Sequence, residues 1–158
     1  MSETVRIAEQ LRRAFDGGAW HGPAVLEAIG DVTAAEASAR PVSGGHSIWE
    51  LALHIGSCEA YVGRCVEAKG IVETSDAEDW PSHDDASPAA WEKARLALGD
   101  GNLRLRKAIG ALDLARLQET VPGKGYDFYV MLHGIVQHDL YHAGQISLLK
   151  RALRPGAR

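Results

Sequence analysis

Four residues apart, His138 and His142 occupy positions where a helix packed in a bundle should carry apolar side chains. Stepping by three and four from Phe128 gives Met131, Ile135, His138, His142, Gln145, Leu149 and Ala152, a stripe that predicts a helix face turned to a core. A buried imidazole must be hydrogen-bonded, charged and paired, or bound to a metal, since an unsatisfied buried polar group costs roughly 1–3 kcal/mol. Histidines at this spacing lie one turn apart on one face and can chelate one ion.

A third inward histidine comes from another stripe, Leu51, His54, Cys58, Tyr61, Cys65 and Ala68. Metal sites in bundles are assembled from inward side chains on facing helices, and neutral imidazole is a common ligand in them. His54, His138 and His142 are therefore the candidate metal ligands. The competing assignment makes His138 and His142 core histidines satisfied by Gln145, Tyr61 or backbone carbonyls; three imidazoles on two stripes favour metal. Three protein ligands leave a position open for water, substrate or a thiol, which is the pattern of a catalytic site. Cys58, one turn beyond His54, could close that position as a thiolate, or serve only as a small buried residue.

The other polar residues have simpler assignments. Glu50 lies one turn before His54 and could orient its ring, although a helix cap already accounts for it. Asp139 could do the same for a neighbouring ring, but is assigned as a solvated surface carboxylate. His133 lies about 140° around the helix from His138. His46 and His83 are expected in solvated or capping roles, and His21 against solvent or a carbonyl, with the mouth of a cavity as its other possible place.

The elements that position these residues are helical throughout, and the predicted fold class is all-α. A first helix runs from Ser2 or Glu3 to Phe15 and ends at Gly17-Gly18. A short extra helix follows, with Pro23 suited to its first position. The second long helix starts at Ser47, with Glu50 at the capping-box spacing. Residues 70 to 87 read as an acidic, irregular loop. Ser87-Pro88 opens the third long helix, whose stripe is Trp91, Ala94, Leu98, Gly101, Leu105, Ala108 and Leu112, with Asp100-Gly101 a weak point. The fourth runs from about Asp127 to Leu153. Four long amphipathic segments predict a four-helix bundle, and 158 residues suffice for one domain, 1–158, with its own core.

Composition narrows the partners. The chain is 46% hydrophobic, and 17 basic against 21 acidic residues leave a net charge of -4 without a basic run, which argues against nucleic acid. No apolar run approaches the roughly 20 residues of a membrane span, and the opening residues have no signal-like apolar region, so the expected location is cytoplasmic and no membrane partner is expected. Cys58 and Cys65, if on one helix, are about 10.5 Å apart along its axis, beyond disulfide reach; both should be free thiols.

The stretch from His46 to His54, His-Ser-Ile-Trp-Glu-Leu-Ala-Leu-His, followed far downstream by Gln137-His138-Asp-Leu-Tyr-His142-Ala-Gly-Gln145-Ile, resembles the DinB/YfiT-like superfamily. Trp20-His-Gly-Pro23 and Asp79-Trp80-Pro81 extend the likeness over most of the chain. The resemblance implies an up-down-down-up four-helix bundle, a divalent metal such as zinc or nickel on His54, His138 and His142, and a homodimer. Relatives act as metal-dependent transferases or isomerases using a low-molecular-weight thiol such as bacillithiol, mycothiol or glutathione. The implied activity is thus attack of an activated thiol or water on a small-molecule substrate, by S-transfer or hydrolysis. A non-catalytic, stress-related metal-binding or interaction bundle is the alternative.

Overall fold

Each long helix starts at a side chain that accepts an otherwise orphaned backbone N–H. The computed structural model describes residues 1–154 and Gly156. Ser2 caps α1 (Glu3–Phe15), Ser87 caps α6 (Pro88–Ala111) with Pro88 in its first turn, and Asp127 caps α7 (Phe128–Leu153). At α4 (Ile48–Glu67) Ser47 and Glu50 form a capping box, the Ser47 hydroxyl accepting from Glu50 N–H and the Glu50 carboxylate from Ser47 N–H. Gly18, at φ +81°, turns the chain out of α1.

Between these run α2 (Val25–Ile29), α3 (Ala34–Ser38) and α5 (Asp76–Asp79), and a 3₁₀ turn, Leu114–Gln118, follows α6. The short helix α2 starts after Ala24 rather than at Pro23, with Glu27 accepting from Ala24 N–H at 2.8 Å. Among the described residues there is no β-strand, and no helix is long and apolar enough to cross a membrane.

The four long helices close a ring: α4 packs on α6 and α7, and α1 packs on the same two. Two apolar clusters fill it. One gathers Phe15, Ile29, Ile48, Trp49, Ile55, Trp91, Leu98 and Ile146; the other gathers Ile7, Leu11, Val62, Leu105, Ile109, Phe128 and Leu132. Burying each such side chain contributes about 1.5–3 kcal/mol, and truncating one, as in Leu11→Ala, costs roughly 2–5 kcal/mol. Between the clusters α4, α6 and α7 each bury a polar residue: Glu59, Asn102 and Asp139.

Helix α6 departs from the expected register. It is continuous through Asp100-Gly101, and its buried stripe steps four residues from Leu98 to Asn102, then to Leu105 and Ile109. Gly101, Ala108 and Leu112 are only half-buried. A turn of 3.6 residues permits either step; the partners across the interface chose this one. The α7 stripe holds as far as Leu149, and Ala152 is exposed.

Candidate metal centre

Helices α4 and α7 bring the three predicted imidazoles together. His54 and His142 are buried and His138 is half-buried. One nitrogen from each lies within 4.8 Å of the others, with His138 Nε2 3.1 Å from His54 Nε2. Two imidazoles on a tetrahedral ion with bonds of 2.0–2.1 Å place their nitrogens about 3.3 Å apart, so the observed spacing suits one.

The opposite ring atoms are tied back. His54 Nδ1–H donates to the Asp79 carbonyl at 2.7 Å, and His142 Nδ1–H donates to Gln145 Oε1 at 2.6 Å. Those bonds fix both tautomers and leave both Nε2 lone pairs to face the centre. Nδ1 of His138 has no hydrogen-bond partner and lies 3.6 Å from Asp139 Oδ1, too long for a hydrogen bond. Since His54 Nε2 carries a lone pair, either a proton on His138 Nε2 or a cation has to stand between the two nitrogens. With a cation there, the His138 proton sits on Nδ1, beside the Asp139 carboxyl.

Desolvation lowers all three imidazole pKa values. For His54 the Asp79 carbonyl opposes the effect, and for His138 the Asp79 charge opposes it. His142 is brought down to about 4 by burial, against the opposing Gln145 bond. All three are neutral at pH 7, the form that ligates a metal.

The acidic segment expected to be irregular folds over the site. Ser75 and Glu78 form a capping box that starts α5, and the Ser57 hydroxyl of α4 donates to the Glu78 carbonyl. Their Ser-x-x-Glu spacing was the available sequence signal. The helix ends at Trp80, whose indole is stacked between His46 at 3.7 Å and His54 at 3.8 Å. His46 is therefore exposed but committed to Trp80, and His83 stacks on Trp49 at 4.3 Å. Neither is simply solvated.

Asp139 is the main correction. It was expected at the surface, yet its carboxyl is fully buried. It meets Glu59, and Asn102 Nδ2 donates to Glu59 Oε1 at 2.5 Å; Glu59 and Asn102 are also wholly shielded from solvent. Burial, then the charge of Asp139, pushes the Glu59 carboxyl well up, and burial pushes Asp139 up too. Two such carboxyls in contact cannot both ionise, so the pair keeps a proton. Charged residue types suggest exposure, and only the facing helices reveal this pair.

Glu50 serves the cap and pairs with Arg40, with His46 3.6 Å away, so it plays no part in orienting His54. His133 is half-buried and lies 4.0 Å from Glu3, while His21 is exposed, outside the cluster. Cys58 and Cys65 are free. Cys58 Sγ is 3.7 Å from His54 Nε2 and 3.5 Å from Asp79 Oδ1; burial, then the Asp79 charge, raises its pKa to about 12. Beside His142 a cavity of about 410 Å³ opens between Leu51, Trp80, Gln145 and Leu149.

No curated protein and no solved structure matches the chain. The family model of the DinB superfamily matches residues 9–146, a span that contains all three histidines, the Trp80 segment and the buried carboxyl pair. By that match, over most of its length and across the whole histidine cluster, the chain belongs to the DinB superfamily.

Proposed function

We propose that this protein is a metal-dependent enzyme that holds a divalent ion, zinc or nickel, on His54, His138 and His142 and activates a low-molecular-weight thiol or water toward a small-molecule substrate. The observation that carries this reading is a set of three neutral imidazoles, two with Nδ1 anchored, whose remaining nitrogens converge beside a cavity. A divalent ion there supplies Lewis acidity, which makes a thiol or water nucleophilic near neutral pH.

The chain's own residues supply the rest. Asp79 and Gln145 hold two rings in the ligating tautomer, Trp80 covers His54 from solvent, and the cavity admits the substrate beside His142. In this reading 1–158 acts as one domain, an up-down-down-up bundle working as a homodimer. The free cysteines suit a cytoplasmic setting.

The decisive experiment is metal analysis of protein purified without an affinity tag, wild type against His138→Ala. Stoichiometric metal in the wild type and its loss in the variant are expected. A wild type that carries none and takes up none from zinc or nickel solution sinks the reading.

A second reading, a non-catalytic stress-related metal-binding or interaction bundle, has one observation of its own. Cys58 and Asp79 form a second potential ligand group with His54, and a shell completed by them leaves no open position. Loss of metal in Cys58→Ser would favour it.

A further inference from the structure

The cavity beside His142 has about 410 Å³, inside the range of small-molecule sites, roughly 300–1,000 Å³. Its surface is mainly apolar, with Val42, Leu51, Leu148 and Leu149 in the lining. Among the described residues no Lys, Arg, Asp or Glu lines it.

Its polar groups are largely spoken for: the His46 ring is stacked on Trp80, with Nδ1 3.6 Å from the Glu50 carboxylate. Gln145 Oε1 accepts from His142 and Gln145 Nε2 donates to the Tyr141 hydroxyl at 3.1 Å, which leaves the Tyr141 O–H as a free donor. Trp80 has a stacked histidine on each face and offers the cavity only an edge. In the metal-free protein a carboxylate, phosphate or ammonium entering here would lose water and meet no Lys, Arg, Asp or Glu, at a cost of several kcal/mol.

We infer that this cavity selects an uncharged, largely apolar small molecule, with at most one acceptor to take the Tyr141 proton. Such a molecule is the electrophilic partner of the reaction; a thiol bearing carboxylates finds no cationic side chain on this lining. That role as substrate rests on the proposed metal-dependent activity, whereas occupancy of the cavity does not.

Titration calorimetry on metal-free, full-length protein at pH 7 tests the inference with two probes of similar shape, 1-naphthol and 1-naphthoate. Neutral 1-naphthol should bind one to one, at least about tenfold more tightly than the anion. Leu148→Lys, a change at an exposed rim position that leaves the core untouched, should narrow or reverse that ratio by about tenfold through a new counter-charge.

Absent 1-naphthol binding, equal affinity for the two probes, or a ratio unmoved by Leu148→Lys each overturns it. Selective 1-naphthol binding by a protein that takes up no metal would retain this cavity assignment and defeat the metal-dependent activity. Metal uptake without 1-naphthol binding would do the reverse.

Discussion

Glu59 of α4 and Asp139 of α7 meet between the two apolar clusters of the bundle, and both carboxyl groups are wholly shielded from water. Asn102 supports the pair from α6, and Asp139 Oδ1 lies 3.6 Å from Nδ1 of His138. The polar layer that interrupts the core is therefore continuous with the histidine cluster. Its stability depends on pH and its charge bears on the capacity of the histidines to hold a metal.

Glu59 ionises near 4.5 in an unfolded chain but far higher in the fold. Above pH 4.5 the folded state thus binds more protons than the unfolded one, and stability falls as pH rises, by up to about 1.4 kcal/mol per pH unit. Glu59→Gln cannot ionise, so its stability relative to wild type should improve between pH 5 and pH 8 in urea titrations. A difference that is flat with pH would show that Glu59 keeps no proton.

Asp139→Asn removes the acid behind His138 while preserving shape. Metal affinity, measured by competition with a chromophoric chelator, should weaken about 10–100-fold with helical content unchanged. Unchanged affinity would confine Asp139 to a structural role.

His142 titrates near 4 in the fold against 6.5 when exposed. The folded state therefore binds fewer protons between those values, so stability is complete above pH 6.5 and declines as pH drops toward 4. For metal-free protein the loss attributable to His142 is on the order of 3 kcal/mol. His142→Gln should shallow the acid limb of a stability–pH curve, leaving the smaller contributions of His54 and His138; an unaltered limb would refute the assignment.

Trp80→Ala takes the stack from both His46 and His54. A loss of about 1–2 kcal/mol is expected, together with faster hydrogen exchange at the amides of α5. If exchange in α5 stays at the wild-type rate, Trp80 is not what holds this segment over the site.

Cys58, with its pKa raised to about 12, should react slowly with iodoacetamide at pH 8. Asp79→Asn removes a raising charge and should quicken the reaction, while burial keeps it below that of a free thiol. Rapid alkylation of wild-type protein would contradict this environment.

The amino-acid order alone determined the four long helices, because periodicity, caps and breakers act over a few residues: Ser47 with Glu50, Ser87 with Pro88, and the apolar stripe from Phe128 to Leu149. It also singled out His54, His138 and His142, since an imidazole on an apolar stripe is visible without coordinates. Tertiary structure decided what depends on a facing element. It alone put Asn102 rather than Gly101 in the core, buried Asp139 against Glu59, and laid Trp80 between His46 and His54. A helix turn leaves neighbouring residues almost equally able to face inward, and charge alone argues for the surface. Across an interface, the volume to be filled and the partner waiting there settle both questions.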